Sequence, residues 1–275
     1  MNEPVINGKA LYTPKGAARE YAAVGCNFYT GCPHDCQYCY LKRGAPSKQL
    51  GGTEVKLKKC FKDEDDAVTR LGMEMDAHQV YLQKVGIFLS FTSDPLIPEE
   101  RHLTLVTILM AQRRSIPVVL LTKNADFIED DKFMSWLPTE SDKRSMIAFG
   151  FTLTGRDDME PNASPNVERQ LAMKHLHNHG FRTWASIEPI IDLESSLDVI
   201  MHTLDYCDLY KVGLMSGVKR DYYSDNLLLW FLGKLATLHD NHHVKFYIKD
   251  SFCKRIQHPI VNAISVPKDY NLFAP

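Results

Sequence analysis

The chain has 275 residues, 44% hydrophobic and 24% charged, proportions ordinary for a globular protein that buries a sizeable core. Thirty-two Lys and Arg stand against 34 Asp and Glu, so no overall positive field draws the protein to nucleic acid, and any polyanion contact must be local. No run of about 18 apolar residues exists to span a bilayer, and residues 1–16 lack the apolar stretch of a signal peptide, so a soluble, cytoplasmic protein is expected.

In chain order, the first feature is a cysteine cluster. Seven cysteines is an odd number, and Cys32, Cys36 and Cys39 crowd into one short stretch, which suits metal binding in a reducing compartment better than a disulfide framework. Cys26, Cys60, Cys207 and Cys253 are scattered and read first as small buried hydrophobes. Lys42, Arg43, Lys48, Lys56, Lys58, Lys59 and Lys62 then face only Glu54 over positions 40–62. This basic stretch reads as a solvated face, because the acidic run 63–66 follows at once, or else as a local contact for a nucleotide or nucleic acid.

Further along, Val68, Leu71, Met75 and Leu82 recur near a period of 3.6 and predict a helix over 64–84. Glu99 and Glu100, after Pro98, favour the positive start of a helix running through Met110. Ser164 as N-cap and Pro165 in the first turn open a helix to about His179, with Gly180 as its stop. Between such segments lie continuous apolar runs at 87–91, 118–121, 147–153, 183–187, 209–214 and 244–248, the pattern of strands covered on both faces. Regular strand–helix alternation predicts parallel strands in a complete or partial barrel, or in a doubly wound sheet. No repeat or linker divides the chain, so a single domain over 1–275 is expected. In both architectures chemistry sits at strand C-termini. The expected rim is therefore FTSDP (91–95), LTKN (121–124), TLTG (152–155), IEPII (187–191), LMSG (214–217) and IKDS (248–251).

The strongest signal is GCPHDCQYCY, residues 31–40, a C-x3-C-x2-C arrangement. Iron–sulfur clusters are normally held by four thiolates, so three cysteines leave one iron open to a ligand that is not protein. A structural zinc would need a fourth protein ligand, for which His34 and Cys26 are the options.

C-x3-C-x2-C with an aromatic before the last cysteine, here Tyr38, is the motif of the radical S-adenosylmethionine (SAM) superfamily, which the chain resembles. The flanking segments are similar to the spore photoproduct lyase-like branch: CPHDCQYCYL at the cysteines, LSFTSDP at 89–95, LLTKN at 120–124 and EPNASPNVERQLAMKHLHNHGFRTWASIEPII at 160–191. The likeness covers about positions 20–215. It implies an α/β fold, a partial parallel (β/α)6 barrel of the radical SAM type with its core over about 20–250 and extensions at both ends. It implies a [4Fe–4S] cluster on Cys32, Cys36 and Cys39, with the amino and carboxylate groups of SAM on the open iron. One electron, from a carrier such as flavodoxin or ferredoxin, then yields a 5′-deoxyadenosyl radical that abstracts hydrogen from substrate. Tyr38 and Tyr40 stand where the lyases relay hydrogen. The lyases' hydrogen-donating cysteine falls at Phe91, and a phenyl ring cannot donate hydrogen as a thiol can. Lyase-type chemistry on a nucleobase, nucleotide or related substrate is thus implied, but spore photoproduct repair itself is not expected.

Other strand-end residues complete the expected site. Lys123 resembles a family lysine near the SAM carboxylate. Glu188 offers an acceptor for ribose hydroxyls, and Ser93 and Thr152 offer hydroxyls to the same cofactor. Asp94, Lys249 and Asp250 are rim groups facing substrate, and Cys253 one turn beyond is a substitute hydrogen donor. His175, His177 and His179 do not share one helix face and, like His242 and His243, read as surface histidines. Trp230 and Phe231 read as a buried helix face, while Tyr222 and Tyr223 stay open between packing and base stacking. Three other functions compete: a radical SAM activity on a peptide or metabolite, a non-catalytic zinc-containing nucleic-acid-binding module, and an electron carrier.

Overall fold

A computed structural model describes residues 3–43 and 47–273, apart from the side chains of Lys48 and Gln49. Among the described residues ten strands form: β1 (Leu11–Tyr12), β2 (Gly25–Cys26), β3 (Tyr29–Thr30), β4 (Lys56–Leu57), β5 (Ile87–Leu89), β6 (Val118–Thr122), β7 (Ile147–Thr152), β8 (Arg182–Ile190), β9 (Leu209–Leu214) and β10 (Phe246–Ile248). Eight of them make one sheet in the order β1-β2-β5-β6-β7-β8-β9-β10, while β3 and β4 pair apart from it. β1 runs antiparallel to β2, and the neighbours from β2 through to β10 are parallel. The edges β1 and β10 do not pair with each other, so the result is a partial (β/α) barrel of the radical SAM type, left open. All six predicted strands are present. β2, which sets the parallel direction just before the cysteines, is two residues long and leaves no readable run.

The apolar runs are continuous because both faces of the sheet are buried. Leu89, Leu120, Phe149, Phe151, Ile187 and Val212 belong to the same core as Leu71, Leu103, Met173, Ile200 and Leu228 of the surrounding helices. Phe88, Ala148, Trp184, Leu209 and Tyr247 form a second cluster inside the curve, with Val119 and Leu121 against it. Gly150 makes room for it, since a Cβ there would lie 2.1 Å from the Trp184 indole. Val266, Tyr270, Leu272 and Phe273 pack on this inner cluster, so the tail, as far as residue 273, docks on the barrel. Residues 274–275 lie outside the described residues.

The helix Glu64–Val85 matches its periodicity, and the acidic run before and within its first turn acts as a start signal: the Asp63 carboxylate accepts from Asp66 N at 2.8 Å. Three local expectations need correction. Ser164 does not cap the next-but-one long helix: Pro165 holds the cap position of Asn166–Asn178, and the Ser164 hydroxyl accepts from Ala125 N at 2.8 Å. Glu100 precedes the helix Arg101–Gln112 but is 3% exposed, and burial, opposed only in part by Ser93, pushes its carboxyl up to about 9. A neutral acid does not stabilise a helix dipole. In the helix Asp225–His242, Phe231 is buried but Leu227, Leu229 and Trp230 are exposed, so the run LLLWFL straddles the helix surface instead of forming one buried face.

Candidate active site

At the C-terminal ends of the strands lies a cavity of about 440 Å³, and each of the six expected rim segments contributes to its wall: Phe91, Ser93 and Asp94; Leu121 and Lys123; Thr152; Glu188 and Pro189; Leu214, Met215 and Ser216; and Lys249. Cys32, Cys36, Cys39, Tyr38 and Tyr40 line the same cavity. The structure thus brings together the three cysteines, both tyrosines, Ser93, Lys123, Thr152 and Glu188. It leaves out Cys253, whose thiol donates to the Ile248 carbonyl at 3.2 Å and packs against the core.

The cysteine loop is shaped by close backbone approaches. Gly31 has φ +86°, and a Cβ there would sit 2.1 Å from the Glu54 carbonyl. Cys32 N donates to Gly52 O at 2.9 Å, and the Lys42 ammonium holds the Asp35 and Cys36 carbonyls at 2.8 and 3.1 Å. Burial pushes the Cys32 and Cys36 thiols upward, so each is protonated until a cation favours its thiolate. Among the described residues, no group of three or more His, Cys, Asp or Glu is arranged around a single metal ion. Both options for a fourth zinc ligand are committed elsewhere. His34 is bonded on both nitrogens, to Asn162 O at 3.1 Å and to Asp94 at 2.8 Å, and Cys26 is fully buried in β2.

Asp94, expected to face substrate, lines the cavity and is also a hub beneath the loop. Its carboxylate accepts from His34, from the Thr122 hydroxyl at 2.6 Å, and from Lys123 N and Leu96 N at 2.7 and 3.0 Å. Burial works against its charge, but His34 and these donors outweigh it and bring the carboxyl down to about 2. Lys123 is half-buried in the cavity wall, with its ammonium 5.6 Å from the centre of the Tyr38 ring. No described residue gives that ammonium a hydrogen-bond or carboxylate partner. Burial opposes its charge, but the neighbouring Cys36 and Glu160 outweigh burial and raise its pKa.

The hydroxyls are largely engaged. Ser93 donates to Gly31 O at 2.7 Å, Tyr40 to the Phe91 carbonyl, and Tyr38 to Glu160. Glu188 pairs with Lys249 and also accepts from the Tyr21 hydroxyl at 2.5 Å, which lies 2.8 Å from Ser186. Behind this group, Glu20 meets Lys249 at 3.7 Å and accepts from Tyr247 and Asp250 N at 3.0 and 2.7 Å. Lys211 donates to the Glu20 and Tyr21 carbonyls, both at 3.0 Å. Tyr21, Ser186, Glu20 and Lys211 were not singled out from the sequence. Tyr21 lies upstream of the motif, and Lys211 is one charge within an apolar strand, a weak sign of an inward-facing polar group.

The remaining residues are peripheral. Asp250 caps this network through its backbone; Tyr222 and Tyr223 donate to the Ile191 and Ile190 carbonyls, Tyr223 as a buried packing residue and Tyr222 with its ring exposed. His175 and His179 stack at 4.2 Å on the helix surface. In the basic stretch, Lys42 pairs with Asp35, Lys56 with Glu54, Lys58 donates to the Lys9 and Asn27 carbonyls, and Arg43 donates to Ser216 O. The Lys48 side chain lies outside the described residues.

No protein-family model matches the chain. An uncharacterized protein of Methanocaldococcus jannaschii is 27% identical over 193 residues, covering 67% of this chain and 67% of that protein. Among solved structures, spore photoproduct lyase complexed with dinucleoside spore photoproduct superposes with a TM-score of 0.60 at 13% identity, over 86% of this chain and 78% of the lyase. SuiB of Streptococcus suis bound to S-adenosylmethionine gives a TM-score of 0.55 at 13% identity, over 80% of this chain and 49% of SuiB. The chain therefore spans about half the length of SuiB. At such identities the likeness is one of fold: the barrel described above is the architecture on which these enzymes are built.

Proposed function

We propose that the chain is a radical SAM enzyme with a [4Fe–4S] cluster on Cys32, Cys36 and Cys39 and SAM in the adjoining cavity. The observation that carries this is the meeting of three motif cysteines and the acceptor-less Lys123 ammonium in one cavity at the strand C-termini. The donor set fits in number and kind, though the thiols are not gathered around one centre: three thiols leave one of a cluster's four ligand positions open, and the half-buried Lys123 ammonium suits a carboxylate. When bound, this pair supplies reductive cleavage of the sulfonium bond and hydrogen abstraction.

The chain's own residues bind, orient and shield. Lys123 holds the carboxylate end of SAM. Ser93 braces the start of the cysteine loop through Gly31, and Thr152 closes the wall opposite. Glu188 is an acceptor shared with Lys249 and Tyr21 at the cavity edge, a polar patch beside the stacked Phe88 and Phe91 rings, 4.5 Å apart. The inner aromatic cluster and docked tail fill the barrel behind it and exclude water. A cavity of about 440 Å³ is the size of a small-molecule site, so a nucleobase, nucleotide or one exposed residue of a larger molecule enters, and a duplex does not. A peptide or metabolite substrate is the second reading. It is favoured by the contacts that Lys42, Arg43, Lys56 and Lys58 already make within the chain, which reduce the basic stretch's unpaired charge.

Anaerobic reconstitution followed by metal and sulfide analysis tests the assignment. About four iron and four sulfide per chain are expected; one zinc and no sulfide would replace it with a structural metal site.

A further inference from the structure

Arg169 and Glu160 are charged, have fully buried side chains and form an ion pair with each other. Taking both ions out of water is costly, and the pair alone seldom repays it, so its placement needs a reason. The reason lies in what each partner does next. The second carboxylate oxygen of Glu160 accepts from the Tyr38 hydroxyl, and Arg169 also donates to the Thr152 carbonyl at 2.5 Å. Tyr38 sits between Cys36 and Cys39 and carries the Lys123 ammonium over its ring. One buried chain of contacts thus runs from the helix Asn166–Asn178 through Glu160 to the cysteine loop.

The same segment grips that loop elsewhere. Gln37 donates from its backbone to Met159 O at 3.0 Å and from its side chain to Asp158 O at 3.1 Å. Asn162 donates to His34 O at 3.3 Å and to Pro33 O at 2.9 Å. The Glu160 contact is the one made by a charged, desolvated acceptor, the strong kind of hydrogen bond. It also commits the Tyr38 hydroxyl to Glu160.

We infer that Arg169 and Glu160 are positioning residues: their buried ion pair anchors Tyr38, and so fixes the cysteine loop and aims Lys123 into the cavity. Tyr38 in this chain is an anchor, not a hydrogen relay. The inference rests on the proposed cluster site for its purpose, though not for its test.

The test compares amide hydrogen exchange of the metal-free chain in the parent, in Tyr38→Phe, and in a double variant, Glu160→Leu with Arg169→Met. The double change removes both charges, so no buried ion is orphaned and the fold survives. Tyr38→Phe removes the hydroxyl alone. In both, exchange over 32–40 is expected to rise roughly tenfold, the value of a charge-assisted hydrogen bond, while distant strands keep their protection. After reconstitution, iron per chain should fall at least about twofold and the electron paramagnetic resonance lines of the reduced cluster should shift. Parent-like exchange over 32–40 in Tyr38→Phe would overturn the inference. Faster exchange in the variants, together with a parent that takes up no iron, would uphold the anchor and overturn the cluster assignment.

Discussion

Lys123 is half-buried in the cavity wall, its charge is favoured by the neighbouring Cys36 and Glu160, and no described residue gives it a hydrogen-bond acceptor, so a bound carboxylate would supply its direct partner. Lys123→Met is expected to weaken SAM binding by about 10- to 100-fold, the worth of a hydrogen bond to a charged group, in a protein that still folds. Calorimetric titration of the reconstituted protein measures it, and unchanged affinity would remove Lys123 from the site. Lys211 makes a second case. Burial and the nearby Lys249 bring its pKa down to about 7, against the partial support of Glu20 and Glu188. Between that value and the unfolded value of about 10.4, the unfolded chain holds the proton and the native one does not, so stability from this group rises with pH across the window. Below pH 7 both states are protonated and the cost is fully in force. Lys211→Met should therefore gain most relative to parent near pH 7 and lose that advantage towards pH 10; a pH-independent difference in melting temperature would contradict it. At this scale the sequence carried residue type and placement but not partnership. Asp94 looked like a free rim carboxylate and is a hub under four donors, and Glu188 is already paired.

At the scale of elements, the strands were legible because burial on both faces writes continuous apolar runs, and their ends located the cavity wall. Helix starts were less so. Ser164 and Glu100 satisfy capping and dipole rules locally, yet tertiary contacts with Ala125 and the buried core claim them. β2 and the tail carried no periodic signal at all. The packing between strands yields its own expectation. Gly150→Ala drives a methyl group into the Trp184 indole, 2.1 Å away, and should destabilise the fold by about 1–3 kcal/mol through overpacking. Urea denaturation followed by Trp fluorescence reads this directly, and a midpoint equal to the parent's would mean that the inner cluster is looser than described.

Across the whole molecule, an open barrel places one rim around one cavity and closes the other end with aromatic side chains and the docked tail. Among the described residues, no helix is long and apolar enough to cross a membrane. The spacing of three cysteines pointed to the proposed chemistry, whereas the substrate was not legible, because the cavity's other groups come from separate strands and an upstream tyrosine. The most direct measurement is 5′-deoxyadenosine formation by the anaerobically reconstituted protein with dithionite and SAM, beside the combined Cys32→Ala, Cys36→Ala, Cys39→Ala variant. Product from the parent and none from the variant is expected. No product from a parent that holds stoichiometric zinc, or equal product from both, would contradict a radical SAM site in this cavity.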